Sequence, residues 1–420
     1  NSFSVNVPMT ASQTKTINVI ANIQSSANAG SLGAGITLDT TTGGTGASTG
    51  QAVTIGSDVT LQTITVGSGT LTVTRDAGTP INTNVIAGST SVQVGRFDFA
   101  AANSSYTVQE VAVKVPADAA TSVANVTLKY KDPAGVQQTV SQALTLSSGA
   151  QPYATATFTG LTFYVPLNDS ADLDVYVDVP TTTSGAKSGA AISVLLDADN
   201  GFKALDGAGT ADTSLASADV NSAASSGYGT KYVKKSVPTL TRLATGYTPN
   251  TVATGVGLYR FSVTADAAGA IDWRKLSFTV TTVGSEFTNF QLYDVTGTAT
   301  QIGSTVSSLA ASTLQFCPGT SCTIGEAEEV GAGSTKTYEI RATVANWSAA
   351  GDSVTISFTE DTSAVVNAAA ASVSGNMTWS DRSANSHSTT TSDWTNGYLV
   401  KDMDNDTRAC QFGTATICTP

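Results

Sequence analysis

The sequence has few charged residues, a single histidine and no long apolar run. Charged residues make up 12% of the chain, against about 25% in an ordinary soluble domain. Acidic residues prevail, with 32 Asp and Glu against 20 Lys and Arg and a formal net charge of −12. Nucleic acids and anionic lipid surfaces attract basic proteins, so this balance argues against both as partners. No stretch reaches the ~18 apolar residues of a membrane span, which predicts a chain without one.

Aromatic residues are also scarce, at 7% of the chain, although 40% of the residues are hydrophobic. Alanine and valine supply much of that apolar content, and threonine, serine and glycine are abundant. Valine and threonine favour strands, while glycine and serine favour turns. The composition is therefore typical of thin β-sandwiches, and 420 residues suffice for two or three domains with separate cores.

Cysteine is limited to two pairs that are close in sequence, Cys317 with Cys322 and Cys410 with Cys418. A CxxC metal site needs tighter spacing and further ligands, and the only histidine is distant. We therefore predict two local disulfides, which form in an oxidising compartment. The chain opens at Asn1 on a strand-like segment without a signal peptide. We expect a secreted protein, extracellular or on the cell surface, whose signal peptide has been removed.

One pattern occurs twice in the chain. Residues 94–102 (VGRFDFAAA) and residues 256–264 (VGLYRFSVT) both place alternating aromatics after a glycine. Alternation puts one set of side chains on a buried sheet face, and the glycine lies where the alternation changes phase, as at a β-bulge. Other matching segments are residues 111–115 with 276–280, residues 125–128 with 289–292, and residues 192–196 with 354–358. The nearly constant spacing, about 162–165 residues, predicts two tandem copies of one β-domain.

The repeat divides the chain into four parts. We predict an N-terminal strand-rich arm or partial domain (residues 1–66), a first β-sandwich (67–230), a second β-sandwich (231–400) and a disulfide-bearing tail (401–420). The part at 231–400 includes a basic linker at residues 231–238 (KYVKKSVP), before the second sandwich itself.

The arm has too few large apolar residues for a core of its own. Its two candidate strands, residues 3–8 and 15–21, alternate in polarity. The apolar positions are candidate subunit-interface residues: Phe3, Val5 and Val7 in the first strand, and Ile17 and Val19 in the second.

Segments of the second copy resemble a known group of proteins. The segments are residues 259–266 (YRFSVTAD), 290–296 (FQLYDVT), 338–344 (YEIRATV), 379–381 (WSD) and 393–399 (DWTNGYL). They are similar to tandem β-sandwich cell-surface proteins of uncultured, small-genome bacteria, and the similarity spans roughly residues 67–400. The resemblance implies two immunoglobulin-like sandwiches and an extracellular location. It brings no established reaction and no catalytic residues.

Catalysis has one candidate in the sequence. His387 could join Ser380, Asp381 and Asp393 in a Ser-His-Asp set, but a triad is defined by geometry and not by proximity in sequence. A histidine in a Ser/Thr-rich loop is more often a hydrogen-bonding residue, and no pair among the acidic residues is singled out for glycoside hydrolysis. We therefore predict no catalytic site and no enzyme.

Trp379, Trp394 and Tyr398 allow two interpretations. Exposed, they would form a platform for sugar rings; buried, they would fill the seam of a sandwich. We favour the second interpretation.

Calcium is the only cofactor that the sequence suggests. Asp197, Asp199 and Asp206 surround a turn of the type that binds Ca²⁺, but the glycine falls one place early for an EF-hand and no glutamate closes the ring. A looser oxygen site at these residues, or at residues 402–406 (DMDND), competes with the interpretation as solvated acidic turns.

These observations favour an extracellular structural protein that assembles with itself. Tandem sandwiches, few charges to protect strand edges and an arm without its own core predict a pilus-like filament joined by strand donation. The alternatives are a surface-layer tile and a cell-surface adhesin or wall-bound hydrolase that recognises surface glycans.

Overall fold

The computed structural model shows an all-β protein, as the composition predicts. It describes residues 6–20, 22, 30–32, 35–36, 44–53, 59–145, 153–197, 200–213, 219–245, 252–309, 311–319, 326–365, 367–403, 406–411 and 417–418. Within these ranges the only helices are three short 3₁₀ segments, at Ala120–Ser122, Thr182–Ser184 and Ala370–Ser372.

The N-terminal part forms two small two-stranded sheets. Strand β1 (Gly30–Leu32) pairs with β4 (Ile64–Val66), and β2 (Gly35–Ile36) pairs with β3 (Val59–Thr60), both antiparallel. Residues 6–20 contain no strand, only a turn in which the Gln13 amide donates to the Thr10 carbonyl. Neither predicted strand of this region is formed over the residues that the structure describes, which are 6–8 of the first strand and 15–20 of the second, because a lone strand is marginal in water.

Residues 70–234, the first unit, form three sheets. Their strands are β5 (Thr70–Arg75), β6 (Thr83–Ile86), β7 (Val92–Ala102), β8 (Tyr106–Pro116), β9 (Asn125–Lys131), β10 (Gln137–Ala143), β11 (Tyr153–Val165), β12 (Ser170–Asp178), β13 (Ala191–Ile192), β14 (Leu195–Leu196), β15 (Lys203–Asp206), β16 (Ala211–Asp212), β17 (Val220–Asn221) and β18 (Lys231–Lys234). One sheet has the order β10-β9-β12-β7-β5, another β16-β15-β8-β14-β17 with β11 beside β8, and the smallest β13-β18-β6.

Residues 238–418, the second unit, form two sheets. Their strands are β19 (Pro238–Leu243), β20 (Ala253–Ala265), β21 (Ile271–Val283), β22 (Glu286–Asp294), β23 (Thr300–Val306), β24 (Thr313–Phe316), β25 (Glu328–Val330), β26 (Thr335–Asn346), β27 (Ser353–Phe358), β28 (Met377–Ser380), β29 (Trp394–Asn396), β30 (Asp406–Gln411) and β31 (Ile417–Cys418). The sheet orders are β23-β22-β26-β20-β19, and β29-β28-β21-β27-β30-β31 with β24 and β25 beside β21.

The two units share one strand topology. In the five-stranded sheets, the order β10-β9-β12-β7-β5 of the first unit corresponds strand for strand to β23-β22-β26-β20-β19 of the second. In the larger sheets, β16-β15-β8-β14-β17 corresponds in the same way to β29-β28-β21-β27-β30. One difference is local. Strand β11 pairs along β8 with a bulge between Thr159 and Phe163, whereas the corresponding β24 and β25 are separated by residues 317–327.

Apolar faces of the two large sheets meet in the core of each unit. In the first unit, Phe99 of β7 packs edge-on against Phe163 of β11 at 5.0 Å between ring centroids. In the second, Phe261 of β20 lies 5.7 Å from Phe278 of β21. Strict alternation supplies these faces, because β12 buries every second residue from Leu173 onward and points its aspartates outward.

The repeated glycines lie at β-bulges, as the change of phase predicts. The register between β7 and β12 shifts at Gly95, and that between β20 and β26 shifts after Gly257. At Gly95 the chain also passes close to the opposite sheet. A Cβ atom there would lie 3.1 Å from both the Phe97 ring and Ser222 Cβ, and 3.2 Å from Val194.

Two predicted boundaries differ from the structure. The segment 231–238 is not a free linker, because β18 pairs in parallel with β6 and its Val233 is buried in the core of the first unit. Residues 401–403 and 406–411, at the start of the predicted tail, belong to the second unit. Met403 is buried in the core of the second unit, and β30 pairs with β27. In both places a short segment gains its backbone partners from a distant strand.

We expect the substitution Gly95→Ala to destabilise the first unit by about 1–3 kcal/mol, because the added methyl overfills a packed contact. Urea denaturation would measure this change. Gly297→Ala is the matched control, since no atom lies within 4 Å of its added Cβ. An unfolding midpoint for Gly95→Ala equal to that of the control would contradict the packing argument.

Candidate functional site

The N-terminal arm exposes its apolar side chains. Val7, Ile17 and Val19 are 38%, 55% and 55% exposed, and Ile20 is 86% exposed. Phe3 and Val5 lie outside the described residues. Residues 6–20 do not fold back onto a sheet, so the side chains of Val7, Ile17 and Val19 remain available to another surface.

Two of the three aspartates predicted to bind Ca²⁺, Asp197 and Asp206, contact other protein groups. The Asp197 carboxylate is buried and lies 2.9 Å from Lys114 Nζ, which also contacts Asp219 at 3.0 Å. Asp206 accepts the backbone amides of Ala208 and Thr210 within its own turn. Asp199 is outside the described chain.

Asp197 and Asp206 also lie far apart along β8. The Asp197 amide donates to the Ala112 carbonyl, whereas Asp206 pairs with Tyr106. Six residues of strand correspond to about 20 Å. The described residues contain no group of three or more metal-ligating side chains. Ca²⁺ at either acidic segment stays a prediction.

The cysteines are described only in part. Cys317 and Cys410 are both buried and disulfide-bonded. Cys322 lies outside the described residues, and only the backbone of Cys418 is described. That backbone places Cys418 opposite Cys410 in the β30–β31 pair. The pairing of Cys317 with Cys322 and of Cys410 with Cys418 stays a prediction.

His387 is held between two carboxylates. Its Nδ1 lies 2.8 Å from Asp393 Oδ2 and its Nε2 lies 2.9 Å from Asp272 Oδ2, while its ring packs against Trp394 at 5.2 Å. Arg382 also contacts Asp272 at 3.3 Å. The sequence did not indicate Asp272, which lies 115 residues away from His387.

This arrangement is not a Ser-His-Asp triad. Both ring nitrogens of His387 face carboxylates, so neither is left to take a proton from a serine. Ser380 is buried and accepts the Arg382 amide, and Asp381 accepts the Ser188 hydroxyl. The cluster therefore fastens a loop to β21, in agreement with the hydrogen-bonding interpretation.

The tryptophans do not form a sugar platform. Trp379 and Trp394 are both fully buried, and their indole N–H groups donate to the carbonyls of Asn396 and Ser388. Tyr398 is half-buried, and its ring stacks edge-on with Tyr232 of the first unit at 5.8 Å. Trp379 and Trp394 are thus buried within the second unit, as favoured from the sequence, and Tyr398 contacts the first unit at the seam where the two units meet.

Polar contacts complete this seam, which we call the junction. Lys234 Nζ donates to Asn367 Oδ1 at 2.9 Å and lies 5.6 Å above the Trp379 ring. Asp381 accepts the Ser188 hydroxyl at 2.5 Å and the Lys235 amide at 2.7 Å. Each contact joins a residue within 188–235 to a residue within 367–381 of the second unit.

A polar groove lies at one end of the five-stranded sheet of the first unit. It encloses about 650 Å³ between the β9–β10 hairpin and the β11–β12 turn. An Arg96–Asp174 ion pair at 2.6 Å crosses its floor. Other groups that line it are Lys129, Lys131, Asp132 and Tyr164. Charged groups and a tyrosine of this kind suit a ligand rich in hydroxyl groups.

No protein-family model matches the chain, and no curated protein matches it. Three solved structures show weak likenesses. A partial N-terminal region of an enterococcal surface protein is 8% identical, with a TM-score of 0.20, over 69% of this chain and 89% of that one. Vicilin from Capsicum annuum is 9% identical, with a TM-score of 0.10, over 64% and 78%. An oxalate decarboxylase formate complex from Lactobacillus farciminis is 9% identical, with a TM-score of 0.09, over 65% and 86%.

Likenesses with TM-scores this low carry no argument about function. Inside the described ranges, no helix combines the length and the apolar character needed to cross a membrane.

Asp393 links the His387 cluster to the stability of the protein. Burial alone would raise the pKa of Asp393, but hydrogen bonds from Thr391, the Ala384 amide and His387 lower it below the ordinary value. A carboxyl with a depressed pKa contributes stability above the unfolded pKa of about 3.9, and this contribution is lost as the pH falls through the lower folded value.

We therefore expect the free energy of unfolding to fall as the pH drops below about 5, and Asp393→Asn to lower stability at pH 7 while flattening that fall. Urea denaturation at a series of pH values would measure both. Asp118→Asn, in an exposed turn, should keep the wild-type slope. A wild-type slope in Asp393→Asn would show that the cluster does not contribute.

Proposed function

We propose that this protein is an extracellular structural subunit that assembles with itself at the cell surface by donating its N-terminal arm to a neighbouring subunit. The exposed apolar side chains of residues 6–20 carry the proposal. A strand exposing side chains of this kind is marginal alone, but it gains main-chain hydrogen bonds and an apolar contact when it is added to a sheet edge.

The uncharged edge strands are the candidate acceptors. Strands β10 (QQTVSQA) and β23 (TQIGSTV) occupy equivalent edges of the two five-stranded sheets, and neither contains a charged residue. The opposite edges each carry an arginine, Arg75 in β5 and Arg242 in β19. Charged side chains protect edges from pairing, so the uncharged edges are the more receptive ones.

Arm donation would produce an open polymer. The contact is head-to-tail, because the arm of one subunit occupies the edge of the next, and repetition without ring closure gives a filament. In this proposal two tandem immunoglobulin-like sandwiches form the body of each subunit, and disulfides brace the second one. No catalytic role is assigned, and a flat surface-layer lattice is the alternative form of assembly.

Deletion of residues 1–21 should abolish the polymer while leaving both sandwiches folded, because the described part of this segment, residues 6–20, contributes no side chain to either core. Negative-stain electron microscopy and size-exclusion chromatography would report assembly, and circular dichroism would report folding. Polymers of normal length after the deletion would contradict the strand-donation proposal.

A matched pair of variants tests the arm without deleting it. Ile17→Asp with Val19→Asp charges the apolar positions of the alternation, whereas Thr16→Asp with Asn18→Asp adds the same charge at the intervening positions. The first pair should prevent assembly and the second should permit it. Equal loss of assembly in both pairs would show a general effect of added charge and would contradict a role for the apolar face.

A carbohydrate-binding adhesin is the second candidate, favoured by the polar groove of the first unit. A monomeric protein that binds surface glycans, and loses that binding in Tyr164→Ala, would support it. A glycan array is the direct measurement. Absence of binding by a protein that forms polymers would remove this candidate.

A further inference from the structure

The junction contains an amine and an amide in unusual surroundings. Lys234 is only 4% exposed, and no carboxylate lies within ion-pairing distance of its Nζ in the described chain. Its hydrogen-bond partner is instead the Asn367 side-chain amide, at 2.9 Å, and its Nζ lies 5.6 Å from the centroid of the Trp379 ring. A buried lysine is usually paired, because an isolated ammonium is costly to remove from water.

The amide itself is fixed from two sides. Its Nδ2 donates to Ser188 Oγ at 3.0 Å, and Ser188 in turn donates to Asp381 Oδ2 at 2.5 Å. Its carbon atom lies over Gly189, where an added Cβ would be 2.8 Å from Asn367 Cγ and where the backbone has a φ of +86°. The amide carbon is thus one bond from the oxygen that Lys234 contacts, and the amide nitrogen has a hydroxyl–carboxylate relay beside it.

From this geometry we infer that Lys234 and Asn367 react with each other to form an amide bond that ties the two units together covalently. The proposal does not depend on the proposed assembly function.

The reaction balances without an oxidant or a cofactor. The neutral amine of Lys234 attacks Asn367 Cγ, so a new C–N bond forms as the bond from Cγ to Nδ2 breaks. One proton moves from Nζ to the departing Nδ2 through the Ser188 hydroxyl and the Asp381 carboxylate, and Nδ2 leaves as ammonia. Starting from the ammonium form of lysine, the products are the secondary amide and an ammonium ion, so charge is conserved.

The surroundings favour the nucleophilic form of the lysine. Burial lowers the pKa of Lys234 to about 8, although the charges of Asp381 and Asp393 act in the opposite direction. About half of the side chains are then neutral at pH 8. The fixed positions of Lys234 and Asn367 also raise the rate of the reaction, because two groups held in contact react faster than the same groups free in solution.

Lys231 is an internal control in the same strand. It is equally buried, and burial also lowers its pKa. Its Nζ, however, donates to the Ile81 carbonyl and the Thr83 hydroxyl, and not to a side-chain amide. Lys231 should therefore stay unmodified.

The test is the mass of the full-length protein together with a peptide map. After incubation at pH 9, the wild type should be lighter than its sequence by one ammonia and should yield a cross-linked peptide containing Lys234 and Asn367. Lys234→Met and Asn367→Ala should lose the cross-link, whereas Lys231→Met should keep it. Ser188→Ala should form it about 100-fold more slowly, the usual contribution of a positioned proton-transfer group.

The peptide map distinguishes this bond from other losses of ammonia, since only the cross-link joins two distant peptides. A folded wild-type protein that gives separate, unmodified Lys234 and Asn367 peptides after this incubation would overturn the proposal. A cross-link from Lys234 to a residue other than Asn367 would overturn it equally.

Discussion

The structure depends on two strands, β8 and β21, that are hydrogen-bonded along both edges. Strand β8 pairs with β11 on one side and with β15 and β14 on the other, and β21 has the corresponding partners in the second unit. Each of them also carries apolar side chains that face the five-stranded sheet across the core. A strand with both edges satisfied and one face buried fixes the register of every neighbour, because a slip of one residue would expose its apolar side chains.

The chain has few charged residues, and several of them form ion pairs between segments that are distant in sequence. Lys114 holds the Asp197 and Asp219 carboxylates, and Arg382 and His387 both contact Asp272. Such contacts are weak evidence for stability when a pair is exposed, but a buried charge that loses its partner is costly. The few charged residues therefore specify which loop packs against which strand, while the apolar cores supply most of the stabilisation.

The junction and residues 6–20 differ in whether a strand-like segment finds a partner strand within the chain. Strand β18 gains backbone partners from β6 and β13 of the first unit, its lysines are buried, and Lys234 contacts Asn367 of the second unit. Residues 6–20 gain no strand partner within the described part of the chain, and their apolar side chains stay exposed. Burial of these apolar side chains against another molecule would therefore contribute favourable free energy to binding.

Local pattern determined much of the fold. Alternation in polarity indicated β12 and the core positions of β7 and β20, and the glycines predicted the bulges at Gly95 and Gly257. The repeat of about 162–165 residues corresponds to the matching strand orders of residues 70–234 and 238–418, while the division of the chain into tandem domains stays a prediction. Scarce aromatics in the closing segment were correctly interpreted as core, as the burial of Trp379 and Trp394 shows. These features are readable because side-chain periodicity is a local property of the chain.

The tertiary structure alone decided which distant segments meet. Residues 231–234 have the composition of a basic linker, yet pairing with β6 buries Lys231 and Lys234 and places the second of these against Asn367. His387 is near Asp393 in sequence, but its second carboxylate, Asp272, comes from β21. Backbone hydrogen bonds between strands use the same N–H and C=O groups at every residue, so the sequence marks which face of a strand is buried but not which strand lies beside it.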